Sequence, residues 1–439
     1  MIYQRIRRRD FLVASGSALL AGVPRRAKSA GPNEKLRTAH IGVGGMGSGD
    51  LASISSHPDV EVAAICDVDQ NNLNRAQEKF SHAKPYQDFR QMVSDLHDQI
   101  DAVVVSTPDH THAPAAMTAL LHDKPVYCQK PLTHDIYEAR QLRRVAEKRG
   151  LVTQMGIQVH ASPQYRSAIE LIRSGTIGKV KEVHAWSSKN WGYDGPKIQG
   201  QQPIPSTLNW NLWLGTAAER PYHQKIYHPG QWRKLIDFGT GTLGDMGVHI
   251  FDTPFAALQL SNPNWVQTSC RAPTGVGHPE KNRVVYEFPG TKYTTSRLIW
   301  KWYDGQYAPP DYQPLGLKQP LPGQGSLFIG EQGKMLLPHV GSPILLPEKK
   351  FRDLTRPTPE PLNHYHEFVD ACFGRTRTAA NFGYAGPLTE ALLLGVVANR
   401  FPDQKLTWDA AKMRVTNIAD ANALIRRSYR EGFEVEELS

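Results

Sequence analysis

In the stretch GDMGVHIFD, Asp245 and His249 stand four residues apart. On a helix that spacing puts both side chains on one face, where a carboxylate can hold an imidazole in one tautomer and raise its basicity toward neutral pH. The pair is a candidate general base with its orienting group. Lys130 follows the apolar run PVYCQ, at the carboxyl edge of a sheet, where open α/β folds bind their ligands. In a desolvated pocket, such a lysine sheds its proton more readily and exchanges hydrogen bonds with a hydroxyl. The segment HIGVGGMGSGD sets Gly42, Gly44 and Gly47 in G-x-G-x-x-G spacing, with Met46 inside the turn, between a strand and a helix. Glycines there allow backbone N–H groups to approach a pyrophosphate at the positive end of the helix. The next strand, VEVAAICD, ends in Asp67, 20 residues beyond Gly47, where a carboxylate accepts hydrogen bonds from the adenosine ribose. Val68 and Asp69 supply no cation for a 2′-phosphate, so the cofactor expected is NAD rather than NADP.

These residues need a scaffold, and the chain supplies a pattern for one. Between 36 and 158, short β-rich runs (TAHIGVGG, VEVAAICD, DAVVVSTP, KPVYCQ, LVTQMG) alternate with amphipathic helical stretches. Apolar strands separated by helices imply a parallel sheet covered on both faces. From 159 to 435 the character changes. One helix near 163–174 leads into the alternating run KVKEVHAWSS, and further strand-like runs follow at NWVQTSCR, NRVVYEF, TKYTTSRLIW and KMLLP. This predicts a second domain with a large, open, mainly antiparallel sheet, one face covered and one free. Pro/Gly-rich loops interrupt it at 192–205 and 303–324. Three helical stretches are expected in the tail, NHYHEFVDACF, PLTEALLLGVVANRF and ADANALIRRSYREG; the second is apolar nearly all round and should be buried.

Residues 1–30 stand apart. Arg5, Arg7, Arg8 and Arg9 precede an apolar run ending at Val23, with small residues at Ala27 and Ser29. That is the layout of an export signal, and RRDFL has the paired arginines of the twin-arginine type, whose cargo crosses already folded. A periplasmic location is the expectation. Of the formal charge of +9, six units sit in residues 1–29 (seven Lys/Arg against one Asp), leaving +3 for the remainder. So small a charge gives no footprint for nucleic acid. The four cysteines are widely spaced without a CxxC, and Cys66 and Cys128 end apolar runs, so free core thiols are expected rather than disulfides. His364 and His366, two apart on a helix, make a poor metal site, and no metal is expected.

GVGGMG, VVSTPDHTH at 104–112, CQKPLTH at 128–134 and GDMGVHIFD at 244–252 together resemble the Gfo/Idh/MocA oxidoreductases. The resemblance spans about residues 36–435 and implies an α/β chain: an N-terminal Rossmann NAD-binding domain followed by an α/β domain with a large open sheet. It assigns Lys130, Asp245 and His249 to catalysis, and Ser106, Thr107, Pro108, His112, Gln129 and Lys130 to the nicotinamide half of the cofactor. One position departs from the pattern: Gln129 stands where the family has Glu, so a negative charge beside Lys130 is missing. For the substrate, the aromatic and amide-rich stretch 186–238, with Asn190, Trp191, Trp232 and Arg233, suits a carbohydrate; the same tryptophans equally suit a core or an oligomer interface. Family members associate through the open sheet, which implies a homodimer or homotetramer. The function implied is an exported NAD-dependent oxidoreductase of a sugar, sugar derivative or cyclitol that keeps its cofactor bound. A redox-neutral glycoside hydrolase or lyase is the alternative enzyme, and a non-catalytic carbohydrate-binding protein the alternative outside catalysis.

Overall fold

The computed structural model describes residues 35–305, 315, 317 and 320–439. The export signal read at 1–30 lies outside the described residues, as does most of the Pro/Gly-rich stretch from 306 to 319.

The first sheet has six parallel strands, β1 (Leu36–Ile41), β2 (Val60–Cys66), β3 (Lys84–Tyr86), β4 (Ala102–Val105), β5 (Val126–Gln129) and β6 (Thr153–Gly156), in the order β3-β2-β1-β4-β5-β6. Helices α1 (Met46–Ser55), α2 (Gln70–Lys79), α3 (Phe89–Leu96), α4 (Asp109–Leu121) and α5 (Ile136–Arg149) connect them. The strand order reverses between β1 and β4, and a crevice opens there at the carboxyl ends of the strands. This is the Rossmann arrangement expected of the N-terminal half. β4 and β5 are buried at every position, which is why they read as unbroken apolar runs. Only the three-residue β3 escapes the sequence pattern, being short and half-exposed.

α6 (Pro163–Arg173) leads to β7 (Val180–Ser187) and the second sheet. The helices α7 (Trp210–Leu214), α8 (Gly241–Asp245) and α9 (Gly247–Leu258) follow before β8 (Trp265–Ser269), β9 (Asn282–Pro289) and β10 (Thr294–Asp304). Strands β11 (Gln324–Gly330), β12 (Lys334–Pro338) and β13 (Ile344–Leu346) extend one edge, and β14 (Lys405–Asp409) and β15 (Arg414–Val415) the other. The nine strands run β13-β12-β11-β7-β10-β9-β8-β14-β15, and only β7 and β10 pair in parallel. The sheet is thus mixed and mainly antiparallel. β9 alternates buried and accessible residues, as expected of a sheet covered on one face.

α10 (His364–Cys372) and α11 (Phe382–Ala398) occupy two of the three helical stretches expected in the tail. α11 is buried almost throughout, and its Glu390 is neutralised by Arg140 of α5, which also ties the second domain to the first. The third stretch departs from expectation. Only a short 3-10 turn forms at Ala419–Leu424, and the chain beyond it is irregular. Its polar groups are spent on other elements instead: Arg427 donates to Glu138 of α5 and Tyr429 to the same carboxylate.

Beneath the second sheet, Trp300 of β10 is fully buried and stacks on Phe251 of α9 with centroids 3.9 Å apart. Replacing it with alanine removes the contact that seats α9, and with it His249, on the sheet. Trp300→Ala is expected to cost about 3–5 kcal/mol, read as a lowered denaturant midpoint with unchanged slope.

Candidate active site

A cleft of about 430 Å³ runs along the crevice of the first sheet and is closed on its other side by the second domain. Its first wall is the glycine-rich turn. Gly42 has φ +81°, and a Cβ there would lie 2.6 Å from the Ser106 carbonyl oxygen; at Gly47 it would lie 2.0 Å from the carbonyl oxygen of Gly42. Only glycine lets the turn pack backbone to backbone against β4. Gly42, Gly44 and Met46 border the cleft, whereas Gly47 sits behind the turn. No side chain caps α1, in contrast to α2, α3 and α6; the Gly47 and Ser48 N–H groups bond back to the Gly44 and Gly45 carbonyls, so an anion would meet the remaining N–H groups of the opening turn.

Asp67, at the end of β2, is 8% exposed and buttresses this turn: Oδ2 accepts from the Val43 and Gly44 N–H groups at 2.9 and 3.2 Å, and Oδ1 from Asp69 N–H and Asn72 Nδ2 at 2.9 and 3.1 Å. Burial raises its pKa while those donors oppose the rise. Two guanidiniums that the sequence reading did not place here, Arg75 and Arg90, also border this end. Arg90 is engaged by Asp88 at 2.6 Å, and Arg75 donates to Asn72. A 2′-phosphate would meet the Asp67 carboxylate. The turn, the uncapped helix and the buried acid therefore fit NAD.

At the other end of the cleft the missing Glu at 129 finds its explanation. Gln129 Nε2 donates to both oxygens of Asp50, at 3.1 and 2.9 Å. Asp50, on α1, is fully buried and also accepts from Ser106 Oγ at 2.7 Å and Tyr365 OH at 3.0 Å. The carboxylate is present, carried by α1 rather than β5, and a carboxamide is the residue that can donate to it. Burial raises the Asp50 pKa, opposed by the hydrogen bonds of Ser106, Gln129 and Tyr365. Gln129 Oε1 in turn accepts from the Lys130 backbone N–H at 3.1 Å. Sequence reasoning missed Asp50 because nothing in the spacing of α1 distinguishes it from a surface acid.

His112 lies between two carbonyl oxygens, Thr107 and Pro131, each 2.8 Å from a ring nitrogen. The ring packs between the turn after β4 and the turn after β5, which carries Lys130, and in its neutral form donates to one of the two carbonyls. Burial lowers its pKa, against the pull of Asp109 and the two carbonyls. Thr107 and Pro108 border the cleft, and the Thr107 hydroxyl, fully enclosed, has no partner.

Lys130 Nζ crosses to the second domain, meeting Asp245 Oδ1 at 2.7 Å and the Asp245 carbonyl oxygen at 3.0 Å. Arg233 Nε reaches the same Oδ1 at 3.3 Å. Burial would raise the Asp245 pKa, but the Lys130 ammonium and the Arg233 guanidinium outweigh it and hold the carboxyl well below its usual range. This corrects the expected pairing of Asp245 with His249. α8 ends at Asp245 and α9 begins at Gly247, so the two residues do not share one helical face, and the carboxylate is taken by two cations. The buried Nδ1 of His249 has no hydrogen-bond partner. Burial, and then Lys130, push its pKa well below the ordinary histidine value, the opposite of the elevation expected. His249 does not border the cleft proper; it faces His339, with ring centroids 5.7 Å apart. His339, unmarked in the sequence, is held by the Tyr165 hydroxyl at 2.8 Å.

Of the four residues expected on the substrate side, Trp232 and Arg233 border the cleft and touch each other, the guanidinium carbon 4.3 Å from the ring centroid. Trp191 lies 5.5 Å from the same guanidinium, with its buried indole N–H unpartnered. Asn190 is exposed and caps a local turn through Gly192, away from the cleft. The other aromatics of 186–238 resolve largely into core: Trp210, Trp213, Tyr222, Tyr227 and Phe238 form one buried cluster, Trp210 and Trp213 stacked at 4.8 Å. Among the described residues no three acidic, histidine or cysteine side chains gather as a metal site, and no helix is long and apolar enough to cross a membrane.

Two family models match the chain, an oxidoreductase NAD-binding Rossmann fold over residues 36–157 and an oxidoreductase C-terminal alpha/beta domain over 166–277. An inositol 2-dehydrogenase of Mycolicibacterium vanbaalenii is 31% identical over 256 residues, 58% of this chain and 71% of that protein. The chain belongs to the Gfo/Idh/MocA oxidoreductase family. A Rubrobacter xylanophilus inositol 2-dehydrogenase is 28% identical over 158 residues, 36% of this chain; the chain spans 45% of that relative's length. Among solved structures, the fold is shared with GenD2 from gentamicin A biosynthesis in complex with NAD (TM-score 0.60, 20% identity, 88% of this chain and 99% of that one). It is shared also with scyllo-inositol dehydrogenase from Lactobacillus casei with NAD(H) and scyllo-inositol (TM-score 0.57, 16% identity, 85% and 99%).

The Asp50–Gln129 contact makes a sharp prediction. Gln129→Glu sets two carboxylates about 3 Å apart, so one must keep a proton in the folded state and its folded pKa rises above the unfolded value. Stability should be near wild type below the ordinary carboxylate range and fall by about 2 kcal/mol as pH rises through the raised pKa. Denaturant midpoints measured across pH check this, and adding Asp50→Asn should abolish the pH-dependent loss.

Proposed function

We propose that this chain is an exported NAD-dependent oxidoreductase that acts on a hydroxyl of a sugar, sugar derivative or cyclitol and keeps its cofactor bound. The observation that carries the reading is the Lys130–Asp245–Arg233 cluster, closed across the cleft at the end away from Asp67. The inositol 2-dehydrogenases among the relatives support a polyhydroxylated substrate.

NAD, when bound, supplies the acceptor for a hydride leaving the substrate carbon. Gly42, Gly44 and Met46 would hold its pyrophosphate, Asp67 its adenosine ribose, and Ser106, Thr107, Pro108, His112 and Gln129 its nicotinamide side. Lys130 Nζ, charged and held by Asp245, donates a hydrogen bond to the substrate hydroxyl oxygen and stabilises the negative charge that grows on it. For His249 to take the hydroxyl proton, the substrate must reach beyond the cleft wall to its ring; the nearby Asp245 carboxylate favours the imidazolium so formed, against burial and the Lys130 charge. Arg233 and Trp232 orient the substrate rim. Export rests on residues 1–30: a protein that folds around NAD before crossing carries with it a cofactor scarce outside the cytoplasm, and must then regenerate that cofactor in place.

The decisive experiment denatures the purified protein and assays released NAD(H), while native protein is offered inositols, sugars and aryl glycosides with NADH absorbance followed. Stoichiometric NAD and reduction by a polyol support the proposal. Aryl release without net NADH would instead identify the redox-neutral glycosidase, and binding without either reaction a carbohydrate-binding protein. Lys130→Met and His249→Ala are each expected to lower kcat by about a hundredfold or more, with Asp245→Asn also raising KM because Lys130 loses its anchor.

A further inference from the structure

The last residues of the chain return to the mouth of the cleft. Phe433 borders the end occupied by Asp67, Arg75 and Arg90. Two guanidiniums lie against its ring: the Cζ of Arg90, from α3, is 4.4 Å from the centroid, and that of Arg430 is 4.2 Å. Arg90 also donates from Nη1 to the Gly432 carbonyl oxygen at 2.6 Å, so the tail is hydrogen-bonded to the first domain at the cleft. Gly432 has φ +79°, a turn that glycine permits and that brings Phe433 back over Arg430, whose carbonyl oxygen accepts from Phe433 N–H at 3.0 Å.

The segment is anchored on the second domain as well. Arg430 donates to the Gly215 carbonyl at 3.0 Å and to the Asn211 side chain and carbonyl, each at 2.8 Å. With the Arg430 N–H on the Thr216 carbonyl and its guanidinium on Glu219, five contacts fall on α7 and the loop after it, while Arg90 and Phe433 face the cofactor cleft. An irregular tail with no helix of its own holds one aromatic ring in place by charged groups from both domains.

We propose that Arg430–Phe433 is part of the cofactor site, and that Phe433, itself stacked by Arg90 and Arg430, backs the Arg90 guanidinium as the plane against which the adenine of the dinucleotide packs. A flat purine gains from stacking on an aromatic ring or guanidinium plane, and the tail spans both domains, so it must loosen before the adenosine half can leave. The proposal rests on the reading that the cleft holds NAD. It adds a binding element beyond the glycine-rich turn and links retention of the cofactor to residues 430–433.

Nucleotide-free full-length protein, its Phe433→Ala variant and its Phe433→Tyr variant should be titrated with NAD, with ADP-ribose and with nicotinamide mononucleotide, and NAD dissociation followed by stopped flow. Phe433→Ala is expected to weaken NAD and ADP-ribose about tenfold, to speed NAD release by a similar factor and to leave nicotinamide mononucleotide unchanged, with Phe433→Tyr restoring most of the loss. Unchanged ADP-ribose affinity in Phe433→Ala, or an equal loss for nicotinamide mononucleotide, would overturn the proposal. A wild-type protein that binds none of the three overturns the cofactor reading itself, and is told apart by that result alone.

Discussion

The two halves of this molecule meet at an ion pair. Lys130, at the carboxyl end of a strand in the first sheet, and Asp245, at the end of a short helix in the second domain, approach to 2.7 Å with only 15% and 13% of their side chains exposed. A charge so enclosed is costly unless it is paired and hydrogen-bonded. Each therefore constrains the other domain: the turn after β5 must present a lysine, and the α8–α9 junction must present a carboxylate at the same point. His112 packs beside the first, between the Thr107 and Pro131 carbonyls, and Arg233 completes the second.

Other contacts across the domain boundary follow the same line. Thr240 donates to Asp109 at 2.8 Å, the His134 ring meets the Ile236 carbonyl at 2.9 Å, and His228 meets Asp69 at 3.0 Å. These are buried or half-buried polar groups, so breaking any of them without replacement leaves a desolvated atom unpaired. The cleft is consequently walled by two domains that hold each other at fixed spacing, which is what positioning a hydroxyl against a cofactor requires.

Some of the buried polar atoms without partners, such as those of Trp300 and Trp408, lie deep in the core, but three lie near the Lys130–Arg233 end of the cleft. The Thr107 hydroxyl, the Trp191 indole N–H and Nδ1 of His249 surround the region of Lys130 and Arg233. Buried polar atoms in folded proteins are nearly always paired, and these three leave donors and acceptors free beside the ion pair. The Asp50 cluster next to them is the reverse case: every hydrogen bond is made, and the carboxylate is held rigid under Gln129 and Ser106.

How much of this was legible in the chain depends on how local each feature is. The glycine spacing, Asp67 at the end of β2 and the alternation of apolar strands with helices are short-range patterns, and they alone determined the parallel sheet, its crevice and the NAD site. The alternating strands of the second half likewise determined a mainly antiparallel sheet. What tertiary structure decided is which side chains share a partner. Four-residue spacing linked Asp245 to His249, but a break between α8 and α9 and the stronger pull of two cations gave the carboxylate to Lys130 and Arg233. The aromatics of 186–238 looked like a carbohydrate surface, and most of them pack on one another. Asp50, His339 and Phe433 carried no local signal at all, because the residues that give them meaning lie 56 to 343 positions away in sequence. Periodicity and turn chemistry act over a few residues and are written in order along the chain; burial and charge pairing act between neighbours in space, and only the folded chain says who those neighbours are.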